Sequence, residues 1–175
     1  MRRVRYVVAM SLDGYIAGPN GEADWIIMDP EIDFRALFEQ FDTFLLGRLT
    51  FEAMGGAGGG QSGAQTIVFS RTLRQQDYPN VTIVSDNPDQ VVADLRSKPG
   101  KDIWLFGGGR LFRSLLEARL VDAVEVSVIP MLLGEGIPLL PAKPSSERFD
   151  LKLTRSRAFD SGLVSFEYAV DYAPA

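Results

Sequence analysis

Five short apolar runs, at residues 5–10, 43–46, 66–69, 81–84 and 102–106, constrain this chain more than any other feature. A strand with one wet face alternates apolar and polar side chains. A run that stays apolar at successive positions is covered on both faces, as in a parallel sheet. Parallel neighbours need long crossovers, and helical patterns stand between several of the runs. Phe34, Leu37, Phe38 and Phe41 follow the i, i+3, i+4, i+7 spacing and predict a helix from about Pro30. Val91, Val92 and Leu95 come after Asn87-Pro88, a capping residue followed by a proline suited to a first turn. Leu111, Phe112, Leu115 and Leu116 predict a third helix directly after Gly107-Gly108-Gly109.

The last third changes period. Val124, Val126 and Val128 alternate with Glu125 and Ser127, and Val164, Phe166, Tyr168 and Val170 alternate with Ser165, Glu167 and Ala169. With Asp160-Ser161-Gly162 as the turn, residues 152–159 and 163–170 read as an antiparallel hairpin. The expected fold is therefore α/β, a mostly parallel central sheet with an antiparallel C-terminal hairpin, in one domain over residues 1–175. The Gly-rich tract 55–63 reads as a mobile surface loop.

Composition limits the chemistry. The chain has no histidine and no cysteine. Disulfides, thiolate nucleophiles, Ser-His-Asp catalysis and a Cys/His zinc site are therefore excluded, and no metal is expected. With 18 basic against 23 acidic residues the net charge is −5, and no basic run exceeds Arg2-Arg3. Nucleic acid and anionic membranes are poor partners for such a chain. No window approaches the roughly 20 apolar residues of a membrane helix, and no signal peptide is read at the N-terminus, so a cytoplasmic protein is expected.

Four segments can carry chemistry. At 102–112 a buried strand runs through Gly107, Gly108 and Gly109 into a helix, beside Arg110 and Leu111. Glycine permits close approach of a phosphate to backbone N–H groups, or simply a tight strand–helix turn. Gly47-Arg48-Leu49-Thr50 and Ser70-Arg71-Thr72 each follow another buried strand. In parallel sheets ligands gather beyond the carboxyl ends of strands, so these segments share one edge. Arg forks with Ser and Thr hydroxyls suit a phosphomonoester; each Arg taken singly reads first as a solvated surface residue, and their shared edge favours the phosphate reading instead. The fourth segment, 10–25, is a long Gly-rich loop ending at Trp25, either a lid or a surface loop with Trp25 as a core anchor.

In this order, Ser11-Leu12-Asp13-Gly14-Tyr15-Ile16-Ala17, Leu46-Gly47-Arg48-Leu49-Thr50, Val68-Phe69-Ser70-Arg71-Thr72-Leu73 and Phe106-Gly107-Gly108-Gly109 resemble the dihydrofolate reductase superfamily. The nearest branch is that of the bacterial riboflavin-biosynthesis reductase C-terminal domain, whose later signature resembles Leu120-Val121-Asp122 and residues 128–136. The resemblance spans about residues 3 to 170. It implies the three-layer dihydrofolate reductase-like fold, with helices on both faces of the sheet. It also implies an NADPH-dependent reductase of a pteridine- or aminopyrimidine-type heterocycle, most like 5-amino-6-(5-phosphoribosylamino)uracil reductase. Dihydrofolate reduction, or a non-catalytic nucleotide-binding domain that kept the fold, are the alternatives.

On that resemblance Arg48, Thr50, Ser70 and Arg71 hold the 2′-phosphate, flanked by Gly47 and Leu49, while Gly107, Gly108, Gly109, Arg110 and Leu111 take the pyrophosphate. Ala9, Ile16 and Gly18 line the nicotinamide. Asp33 is the substrate-binding carboxylate, or a first-turn helix residue, and Asp13 is the second catalytic candidate. Trp25, Leu37 and Phe38 are the apolar substrate contacts. A homodimer is implied, with residues 124–140 forming either the intersubunit surface or an internal strand and its covering loop. The zinc deaminase domain fused to the riboflavin enzyme has no counterpart here, since its ligands are His and Cys.

Overall fold

The computed structural model describes residues 1–56, 63–143 and 148–172. The strands are β1 (Val4–Ser11), β2 (Tyr15–Ala17), β3 (Phe41–Gly47), β4 (Gln65–Phe69), β5 (Thr82–Val84), β6 (Asp102–Gly107), β7 (Ala123–Ile129), β8 (Ile137–Pro138), β9 (Asp150–Ala158) and β10 (Val164–Asp171). The helices are α1 (Phe34–Phe38), α2 (Arg48–Ala53), α3 (Pro88–Ser97) and α4 (Gly109–Glu117). Eight strands form one sheet in the order β5-β4-β3-β6-β1-β7-β10-β9. The first six run parallel, and β10 turns antiparallel to both β7 and β9. The expected α/β class, parallel sheet and terminal hairpin are all present.

The apolar runs fill both faces, as their unbroken hydrophobicity requires. Leu45, Ile67, Ile103 and Leu105 join Val4 and Tyr6 under Val92 and Leu95 of α3 and Phe112 and Leu115 of α4. Their sequence neighbours Phe44, Leu46, Val68 and Trp104 point the other way, into a cluster that takes Phe51 of α2 and Leu37 and Phe38 of α1. Trp104 is the hub of that cluster, with the rings of Phe38, Phe41, Phe44 and Phe106 centred 4.8–5.7 Å away. Its indole N–H donates to the Val7 carbonyl at 3.0 Å, so the buried polar atom is satisfied.

At the amino end of the parallel strands the charges neutralise one another. Arg5 makes a two-pronged bond to Glu125 (2.5 and 2.8 Å), reaches Gln40 and Asp102, and lies 4.6 Å over the Phe41 ring. Arg2 pairs with Asp42 and donates to Thr43. The expected ligand edge is the opposite one, at the carboxyl ends of the strands.

Local details differ from the sequence reading in three places. The first helix is confined to Phe34–Phe38, and Phe41 opens β3 against Asp102. Residues before it form a turn instead, with Ile32 N–H donating to the Asp29 carbonyl and Glu31 N–H to the Asp29 carboxylate. Phe41 fits the helical period and also packs on Trp104 from a strand; spacing alone does not separate the two. Asn87 precedes α3 in the left-handed region (φ 50°) and makes no capping bond, so only Pro88 acts as expected. The long loop after β1 contains β2, which pairs with β8 in a small second sheet. A three-residue strand carries too little pattern to be seen in sequence. Most of the glycine tract, residues 57–62, lies outside the described residues. No helix among the described residues is long and apolar enough to cross a membrane.

Candidate functional site: the carboxyl edge of the parallel strands

Register brings the glycine and arginine motifs together. Gly47 is level with Phe69, and Leu46 with Gly107, so Arg48, Ser70 and Gly108 leave adjacent strands side by side. A Cβ on Gly47 would sit 3.5 Å from the Gly108 nitrogen and 3.6 Å from the Gly107 oxygen. A Cβ on Gly108 would meet Thr50 Oγ1 at 3.3 Å. Gly107 has φ 139°, a conformation side chains rarely adopt. Gly109 opens α4 under the segment after β8, where a Cβ would lie 2.8 Å from Pro141 Cδ and 2.9 Å from the Pro138 oxygen. Leu111, two residues on, is buried in the core and anchors the helix start.

One corner of this edge is basic and hydroxylic. Ser70 is 7% exposed, and its Oγ accepts from the Thr72 and Leu73 N–H groups at 3.2 and 3.0 Å. The side chain thus fixes the turn that carries Arg71. Arg71 and Arg110 are exposed and make no ion pair among the described residues. Arg48 is bound to Glu52 at 2.7 Å, and Leu49 beside it is 61% exposed.

The next stretch of the edge is the junction of β1 and β7, where Asp13 ties two loops together. It accepts from Ser11 Oγ (2.6 Å), Gly134 N–H (2.7 Å) and Leu133 N–H (3.1 Å). The Ser11 hydroxyl, and then the Gly134 amide, stabilise the anion and lower the Asp13 pKa to about 2. A carboxylate so held stays ionised at neutral pH, and both oxygens are engaged. Its geometry is that of a positioning residue rather than a proton donor. Ser11 Oγ also accepts from Tyr15 N–H, and Leu12 N–H reaches the Met131 carbonyl, which locks β2 against the loop after β7. Ala9 on β1 and Ile16 on β2 are half-buried here, and Gly18 is buried beneath the Glu22 side chain, which leaves no room for a Cβ.

Among the residues expected to meet substrate, Asp33 caps α1 by accepting from Ala36 N–H at 2.9 Å through Oδ1, with no bond to Oδ2 among the described residues. Leu37 and Phe38 are half-buried and pack on the Trp104 cluster. Trp25 donates its indole N–H to the Glu22 carbonyl and braces its own loop. Sequence reasoning passed over several groups. Asp29 is 3% exposed, bound to Ser161 of the β9–β10 turn, and its pKa is lowered chiefly by that hydroxyl. Glu31 pairs with Arg157 at 2.5 Å, so this segment is clasped to the hairpin at two points. Ser127 faces Ala9 on one side and Ser165 on the other, giving a half-buried hydroxyl row. The alternation around Ser127 marked a polar face, but only the sheet order reveals what that face adjoins.

Two cavities lie away from the glycine and arginine edge, the second of them against Phe38. One of about 440 Å³ is lined by Phe112, Leu116, Val124, Leu139 and Phe149, and one of about 210 Å³ by Phe38, Phe41 and Phe44. Neither includes Arg48, Ser70, Arg71 or the 107–109 turn, so the candidate site rests on its converging polar groups and not on either cavity.

The strand order and the glycine and arginine edge define a dihydrofolate reductase-like α/β domain. The dihydrofolate reductase of Enterococcus faecalis, solved with NADP(H) and RAB-propyl, superposes with a TM-score of 0.69 at 21% identity, over 97% of each chain. The sequence matches the family of RibD C-terminal domains over residues 2–165, and the chain belongs to that family. YyaP of Bacillus subtilis (strain 168) is 37% identical over 95% of this chain and 94% of its own length. A Shewanella structure described as a riboflavin-biosynthesis protein is 27% identical with a TM-score of 0.79, covering 98% of this chain and all (100%) of that one.

Proposed function

We propose that this chain is an NADPH-dependent reductase acting on an aminopyrimidine- or pteridine-type heterocycle, most like 5-amino-6-(5-phosphoribosylamino)uracil reductase. The observation that carries the reading is the convergence of Arg48, Ser70 and Arg71 on neighbouring strand ends beside the 107–109 glycine turn. The residues fit a dinucleotide. Gly47 and Gly108 keep the backbone approachable where Cβ atoms would stand, and the guanidiniums and hydroxyls match a phosphomonoester. NADPH, when bound, supplies a hydride, which is consistent with a site that has no histidine or cysteine.

The chain's own residues bind and orient. Arg48, Thr50, Ser70 and Arg71 hold the 2′-phosphate, and residues 107–111 the pyrophosphate. Ala9, Ile16 and Gly18 support the nicotinamide end, which Asp13 keeps in register by tying the loops after β1 and β7. Asp33 caps α1 with one oxygen and offers the other to an amine edge of the substrate, between Trp25, Leu37 and Phe38. Alignment of this kind is itself a large contribution to rate.

Titration of NADPH and NADH against the unmodified protein, Arg48→Ala and Arg71→Ala tests the reading. NADPH binds more tightly, and each substitution weakens NADPH about ten-fold or more while sparing NADH, since a hydrogen bond to a charged group contributes about 1.5–3 kcal/mol. Equal affinities in the unmodified protein overturn the phosphate assignment. NADPH binding without oxidation by any aminopyrimidine or dihydropteridine overturns the reductase assignment and leaves a binding domain.

A further inference from the structure

Of Arg48 and Arg71, the two guanidiniums assigned to the 2′-phosphate, only Arg71 lacks an ion-pair partner among the described residues. Arg48 Nη1 donates to Glu52 Oε2 at 2.7 Å, with side chains 41% and 40% exposed. Helix stability does not explain the pair. Exposed i, i+4 pairs contribute about 0.3–0.5 kcal/mol at best. This one also runs in the poorer direction, the cation toward the helix start and the carboxylate toward its end, against the helix dipole. The carboxylate thus holds one of the two guanidiniums that the NADPH reading assigns to the phosphate.

We propose that Glu52 is a positioning residue that sets how strongly this corner discriminates a 2′-phosphorylated dinucleotide from its unphosphorylated counterpart, by holding Arg48 and opposing the phosphate charge. The proposal rests on the NADPH reading above. It makes the site a moderated one, in which NADH is disfavoured less than two unopposed arginines would impose. Arg48 remains able to meet the phosphate through its other N–H groups while Glu52 keeps Nη1.

Glu52→Gln keeps the size and helix propensity of the side chain and removes its charge; Glu52→Ala is the second variant. Dissociation constants for NADPH and NADH are measured at low and at high salt. The NADPH preference rises about three-fold or more at low salt in both variants, the size expected for a carboxylate opposing a dianion in screened solvent, and the gain shrinks as salt is added. An unchanged or reduced preference overturns the role of Glu52, because a purely structural side chain would alter both cofactors alike. Equal affinities in the unmodified protein remove the NADPH reading and this proposal together, whereas a clear NADPH preference that Glu52→Gln leaves unmoved overturns the Glu52 role alone.

Discussion

Gly109→Ala measures how tightly the glycine turn is clamped. The added methyl would lie 2.8 and 3.0 Å from Cδ and Cγ of Pro141 and 2.9 Å from the Pro138 carbonyl, against 3.4 Å and beyond for ordinary contact. Those neighbours do not yield freely. Arg113 Nε donates to the Pro141 carbonyl at 2.6 Å, Leu139 N–H donates to the Gly14 carbonyl at 2.9 Å, and β8 is paired to β2. Overpacking of this kind costs about 1–3 kcal/mol. Alanine returns up to about 1 kcal/mol over glycine in a helix interior, and less at the first position. The net loss is about 1–2 kcal/mol, a fall in Tm of about 2–8 °C for a chain of this size. Thermal unfolding followed by circular dichroism, with a urea midpoint alongside, reads it. Gly47→Ala is the control. Its methyl would sit at 3.5 and 3.6 Å from the 107–108 backbone with φ −79°, so stability changes by less than about 0.5 kcal/mol while NADPH binding weakens. A Gly109→Ala protein as stable as the parent, or a Gly47→Ala protein equally damaged, would show the clamp to be misplaced.

Three further outcomes are expected. Glu125→Ala strips Arg5 of its two-pronged partner where both side chains are about a tenth exposed, and costs about 2–4 kcal/mol by chemical denaturation; Arg5→Met with Glu125→Leu recovers most of it. Asp33→Ser retains the α1 cap and its stability but raises KM for the heterocycle, whereas Asp33→Ala also loses about 1 kcal/mol of stability; unchanged kinetics in both variants would leave Asp33 a cap alone. Asp13 has a folded pKa of about 2, below the usual carboxylate value, so its tether contributes above about pH 4 and is lost as pH falls toward 2. Stability of the unmodified protein should therefore decline more steeply than that of Asp13→Asn across that interval, and parallel curves would refute the tether.

The sequence by itself pointed to the class of fold, because short unbroken apolar runs such as 43–46, bounded by turn residues and separated by helical patterns, suit strands covered on both faces, and alternation at 124–128 and 164–170 suits strands with unlike faces. It also located the glycine and arginine motifs, since each follows a strand and strand ends are visible as changes of composition. Tertiary structure decided everything that depends on register. That Ser127 stands between Ala9 and Ser165 follows from strand order alone. That Asp29 is buried against Ser161 depends on a contact 132 positions away in the chain. Asp13 shows the limit most plainly: its motif marked it as a chemical residue, and its partners Leu133 and Gly134, some 120 positions distant, make it a tether. A carboxylate's role is set by the donors that surround it, and those donors come from segments that only the folded sheet brings within reach.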